Sequence, residues 1–77
     1  MDTPYAPPCK RSVTIAGHET SITLEPVFWD ALGKAAVEEA LPLNALIARI
    51  DAERIKRPLP PNLASALRVW LFARAIG

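Results

Sequence analysis

The sequence has little with which to do covalent chemistry or to brace itself. Of its 77 residues one is cysteine and one is histidine. Cys9 cannot close an intrachain disulfide, and Cys9 with His18 falls short of the four Cys/His ligands of a structural zinc site. Three scattered glycines make no phosphate loop. No nucleophile, base and orienting group occur together, and His18 falls at an expected turn. An enzyme is therefore not expected, nor a metal or cofactor. No run reaches the ~18–20 apolar residues of a membrane span. Met1-Asp2-Thr3-Pro4 lacks the charged start and apolar run of a secretory signal, so the expected location is cytoplasmic. Charge of one sign is also scarce. Nine Lys/Arg against eight Asp/Glu leave +1, which is not the basic footprint of most nucleic-acid binders. The distribution of those charges matters more than their sum.

Apolar residues are not scarce, at 51%. A chain this short buries roughly 60% of the surface that its unfolded form exposes, which is marginal for a lone core. With disulfide and metal excluded, association is the remedy left. The expectation is that a second copy covers the surplus apolar surface, and that neither copy closes its interior alone.

Residues 1–9 begin with three prolines in eight residues, MDTPYAPP, and read as a flexible arm. Residues 10–77 read as one domain. Its first segment, RSVTIAGHETSITL, holds two alternating runs rich in strand formers, Ser12–Ile15 and Thr20–Leu24. Gly17-His18 fits a two-residue hairpin loop with glycine first. That register sets Ile15 opposite Thr20 and Val13 opposite Ile22. One face then collects Val13, Ile15, Thr20, Ile22 and Leu24. The other collects Ser12, Thr14, Ala16, Glu19, Ser21 and Thr23. A one-residue slip would mix the faces. The alternative is a single ordered strand, 20–24, behind a loosely held segment.

Three helices follow. Pro26 suits the first turn of the first, with Thr23 or Glu25 as its cap. Phe28, Leu32, Ala35, Ala36 and Ala40 share one stripe, with Trp29 beside it. Pro42 ends this helix near Ala40. The second helix spans 43–55, with Leu43, Leu46, Ile47 and Ile50 on its apolar face and Glu53–Arg57 as an i,i+4 pair. The prolines after Arg57 break it. Asn62 is a good N-cap for a third helix over 63–75. There Leu63, Leu67, Trp70 and Leu71 form a stripe that Val69, Phe72 and Ile76 widen. A helix apolar around so much of its girth seldom faces water.

The stretch from Lys10 to Leu71 resembles a ribbon-helix-helix domain, in a compact bacterial subgroup. The matching residues are Lys10-Arg11-Ser12-Val13-Thr14-Ile15, Gly17-His18, Thr20-Ser21-Ile22, Leu24-Glu25, Phe28-Trp29 and Leu32. They continue with Leu43-Asn44-Ala45-Leu46-Ile47, Ile50-Asp51 and Asn62 to Val69. The resemblance covers about four-fifths of the chain; its ordered blocks are specific together and weak singly.

The resemblance implies a mainly α fold with a short β ribbon, built as an intertwined homodimer. A strand from each subunit, here Thr20–Leu24, pairs with its mate. Ile22, Leu24, Phe28, Leu32, Leu46, Ile47, Ile50, Leu67 and Trp70 would form the dimer core. It also implies a transcriptional regulator whose ribbon enters the major groove of double-stranded DNA. Helix N-termini would hold the phosphates. The DNA-binding residues would be Lys10 and Arg11 on phosphate, Ser12, Thr14, Ser21 and Thr23 on the exposed sheet face, and the Leu43 and Asn44 amides. Two positions depart from the subgroup: Glu19 stands where a basic residue is common after Gly-His, and Pro42 replaces the usual Ser/Thr before the second helix. The rival expectation is a dimeric interaction module without DNA binding, holding a protein partner on its exposed sheet face or third helix.

Overall fold

The computed structural model describes residues 5–77. Two strands, β1 (Cys9–Ile15) and β2 (His18–Leu24), precede three helices, α1 (Pro26–Glu38), α2 (Leu43–Arg54) and α3 (Leu63–Ile76). The strands form an antiparallel hairpin, which settles the choice between a hairpin and a lone strand. The arm expected over 1–9 gives way to β1 at Cys9; its residues 1–4 lie outside the described part.

The hairpin turns one residue earlier than its glycine suggested. Ile15 pairs with His18, Val13 with Thr20 and Arg11 with Ile22, so the loop is Ala16-Gly17. Both loop residues have positive φ, 50° and 83°, the mark of a type I′ turn, whose twist matches that of the flanking strands. The expected type II′ turn at Gly17-His18 is thus corrected. The opposing partners move by two positions, an even number, so each side chain keeps its face. Ile15, Ile22 and Leu24 are buried, and Lys10, Ser12, Thr14, Glu19, Ser21 and Thr23 are exposed.

The inner face of the hairpin packs on all three helices. Leu24, Leu32, Leu46, Ile47 and Leu67 are fully buried, with Ile22, Trp29, Ala35, Ala36 and Ile50 nearly so. These residues are enclosed within one chain, while Val27, Val37, Ile55, Val69, Phe72 and Ile76 remain exposed on it. The register places Val13, Ile15, Ile22 and Leu24 on the inner strand face, alongside Arg11, Thr20 and His18. Phe28 and Trp70, expected in a dimer core, are half-buried at the rim of the core within one chain. Each carries an arginine over its ring: Arg68 at 5.6 Å from Phe28 and Arg74 at 5.3 Å from Trp70.

Helix ends follow local chemistry. Pro26 occupies the first turn of α1, and Glu25 is the N-cap residue without a side-chain cap bond. At the far end the Leu41 N–H donates to Ala36 O at 2.9 Å and the Ala40 N–H to Val37 O at 3.1 Å. With Ala40 at φ 56°, this is the Schellman arrangement, in which the left-handed residue is usually glycine. Ala40 is therefore exposed beyond the helix and leaves the stripe expected for it. The Asn62 side chain accepts from the Ser65 N–H at 2.8 Å and caps α3. The Glu53–Arg57 pair is absent, because α2 ends before Arg57; Arg54 instead reaches Asp51 at 2.8 Å.

Ion pairs tie the helices together. Arg68 bonds Glu25 through Nε and Nη2, at 3.2 and 3.1 Å. Arg74 reaches Glu38 and Glu39 at 2.8 and 2.9 Å, and Arg49 also reaches Glu39, at 3.0 Å. A backbone hydrogen bond at Glu25 itself and then the Arg68 bond hold the Glu25 carboxyl below its ordinary value. The bonds from Arg49 and Arg74 do the same for Glu39.

Candidate nucleic-acid interface

Alternation along the hairpin separates a wet face from a dry one. On the wet face Lys10 opposes Thr23, Ser12 opposes Ser21 and Thr14 opposes Glu19. All six are exposed. Five of the residues expected to contact DNA, Lys10, Ser12, Thr14, Ser21 and Thr23, are thereby brought onto one surface. Its four hydroxyls can both donate and accept. Its two charges, Lys10 and Glu19, lie toward opposite ends of the hairpin and cancel.

Arg11 does not join that face. It lies across from Ile22 on the inner side, where its guanidinium stands 5.0 Å from the Trp29 ring centre. The basic pair Lys10-Arg11 is thus split between the two faces. Trp29 is buried and donates its indole N–H to the Cys9 carbonyl at 3.0 Å. One α1 side chain therefore grips the start of β1 twice, by a hydrogen bond and by a cation–π contact. These contacts fix where Lys10 and Arg11 leave the body of the fold. Nothing in the sequence signals this clasp, because its two halves are 20 residues apart.

Leu43 and Asn44 open α2. Pro42 is the N-cap residue, with extended backbone and no side-chain cap. Its carbonyl accepts from the Ala45 and Leu46 N–H groups at 3.0 and 3.1 Å. The Leu43 and Asn44 amides precede any possible intrahelical acceptor. Leu43 packs its side chain against the core, and Asn44 is exposed. No side-chain hydrogen bond among the described residues links this turn to the hairpin.

The near-neutral total conceals an uneven distribution. Arg49, Arg54, Arg68 and Arg74 each meet a carboxylate of their own chain. Among the described residues Lys10, Arg11, Lys34, Lys56 and Arg57 do not, and the acids without a cation are Glu19, Asp30 and Glu53. The cations available to a phosphate are therefore the two on the hairpin and three on or after α1 and α2. Lys34, Lys56 and Arg57 were not read as phosphate contacts from the sequence, since residue counts cannot tell which cations are already neutralised.

A model of the family described as ribbon-helix-helix domain matches residues 8–75. No curated protein and no solved structure matches the chain.

Proposed function

The chain belongs to the ribbon-helix-helix family, and from that premise we propose that it is a homodimeric, DNA-binding transcriptional regulator that works in the cytoplasm. Family members are typically DNA-binding regulators. The observation that carries the reading is the segregated hairpin. One face buries Ile15, Ile22 and Leu24 against the helices, and the other offers Lys10, Ser12, Thr14, Ser21 and Thr23 to a partner.

In the proposed dimer the outer edge of β2 pairs with its mate, since the other edge is taken by β1. The four strands then span about 14 Å at ~4.8 Å per spacing, slightly more than the ~12 Å major groove. The two central strands fit within the groove, with Ser21 and Thr23 toward base edges. The outer strands lie along its rims, where Lys10 reaches phosphate. Arg11 stacked on Trp29 keeps its in-plane N–H donors for a phosphate oxygen. The unbonded Leu43 and Asn44 amides, at the positive end of the α2 dipole, hold another phosphate.

Titration of labelled duplex DNA at two salt concentrations tests this. Affinity should fall steeply with salt, and Lys10→Ala should reduce the slope by about 0.9 per subunit. Absence of binding at low salt would overturn it. That result would favour an interaction module, the reading to which Glu19 on the exposed face lends weight, since a carboxylate there repels phosphate.

A further inference from the structure

Between the end of α2 and the middle of α3 lies a groove of about 300 Å³, the size of a small-ligand site. Ile50, Glu53 and Arg57 line it from α2 and the turn that follows, and Ala66, Trp70 and Ala73 line it from α3. Both sets follow helical spacing, so each comes from one side of its helix. The space exists because Ala66 and Ala73 are small where the two helices face each other. Trp70 stands between them, half-buried. Its ring is steadied by Arg74, 5.3 Å from the ring centre and itself held by Glu38 and Glu39.

Three ionisable groups line this groove, and two of them are unspent. Arg54 donates from Nε to Asp51 at 2.9 Å and from Nη1 to the Pro61 carbonyl at 3.0 Å, so it is occupied. Glu53 and Arg57 meet no other charged group among the described residues, although four positions separate them. The reason is local. The Lys56 N–H donates to Glu53 O and the Arg57 N–H to Arg54 O. The chain thus leaves α2 through a tighter turn, which breaks the i,i+4 alignment of a regular helix. One free carboxylate and one free guanidinium therefore stand at a groove with an apolar lining of Ile50, Trp70 and the two alanines. A simple anion there meets the repulsion of Glu53, and a simple cation that of Arg57. An uncharged body leaves both unused.

We propose that this groove binds a small α-amino acid with an apolar side chain. The ligand carboxylate pairs with Arg57, whose fork of N–H donors suits it. The ammonium pairs with Glu53, in the last turn of α2, where the helix dipole also favours a cation. The side chain lies on Ile50 and Trp70 in the space left by Ala66 and Ala73. The site shares no residue with the hairpin or with the start of α2, so it does not depend on the DNA reading.

The indole N–H signal of Trp70 in proton–nitrogen correlation spectra reports occupancy. That of Trp29, buried and bonded to the Cys9 carbonyl, is the internal control. L-Phenylalanine added to the intact chain should shift the Trp70 signal with a Kd near ~1 mM, as suits so small a ligand, and leave that of Trp29 in place. 3-Phenylpropionate and phenethylamine each lack one of the two charges and should bind about tenfold more weakly. Arg57→Gln should erase the advantage of phenylalanine over phenethylamine, and Glu53→Gln its advantage over 3-phenylpropionate. Ala73→Leu, at an exposed position, fills the groove and should remove the shift while far-UV circular dichroism stays unchanged. No shift of Trp70 up to ~20 mM phenylalanine, equal affinity for the three compounds, or undiminished binding by Ala73→Leu would overturn the proposal. DNA enters none of these readouts, so failure here is distinguishable from failure of the regulator reading.

Discussion

Trp29→Phe should loosen the start of β1 and cost about 2–3 kcal/mol. Three contributions make up that figure. The bond from the indole N–H to the Cys9 carbonyl, 3.0 Å long, is worth about 1 kcal/mol net. The Arg11 guanidinium at 5.0 Å from the ring centre loses part of a cation–π attraction of about 0.5–1 kcal/mol, since phenyl is a poorer partner than indole. Trp29 is 2% exposed, so the smaller ring leaves a void of a few tens of Å³, costing about 1 kcal/mol at ~24 cal/mol per Å³. For a domain of this size each kcal/mol moves Tm by about 4–8 °C. Urea unfolding followed by far-UV circular dichroism gives the total, and amide exchange locates it. Residues 9–11 should exchange faster than the rest of the hairpin. A double-mutant cycle with Arg11→Gln should return a coupling of about 0.5 kcal/mol. A total below about 0.5 kcal/mol, with exchange at Cys9 and Lys10 unchanged, would refute the clasp and the placement of the basic pair that depends on it.

Two further outcomes concern stability alone. Ala40→Gly should raise stability by about 0.5–1 kcal/mol, because relief of ~1–2 kcal/mol of left-handed strain at φ 56° exceeds the entropy lost with glycine; a lower Tm by calorimetry would contradict this. The carboxyls of Glu25 and Glu39 are held below their ordinary carboxylate value by a backbone hydrogen bond, for Glu25, and by their arginine partners, so their contribution is present above the ordinary carboxylate range and is lost as pH falls through their folded values. Tm should therefore hold between pH 7 and about 5 and then drop, and Arg74→Met should flatten that drop, as thermal melts across pH would register.

The elements themselves were legible because each has a local cause. Alternation of Val, Ile and Thr marks strands, Pro26 and Asn62 mark helix starts, and the prolines after Arg57 mark a stop. The two-faced hairpin survived even a misplaced turn, since an even shift in pairing preserves the faces. The turn was misplaced because Gly17 satisfies two turn types, as first residue of a type II′ turn or second of a type I′ turn. Only the strands' shared twist chooses between them. The end of α1 was read two residues late for a similar reason. Ala40 keeps helical spacing in the sequence while its backbone has already turned left-handed to close the Schellman bonds.

What the chain order could not hold is whatever depends on two distant residues meeting. Cys9 and Trp29, Glu25 and Arg68, and Arg74 with Glu38 and Glu39 are paired by packing. Those meetings decide which charges remain for a partner and which way Arg11 turns. The sequence by itself determined the wet and dry faces of the ribbon, because strand periodicity is a property of neighbouring residues. Only the tertiary structure decided which apolar residues a single chain buries and which, on the outer side of α3, it leaves exposed, because burial is a property of surfaces, and surfaces exist only once the helices have packed.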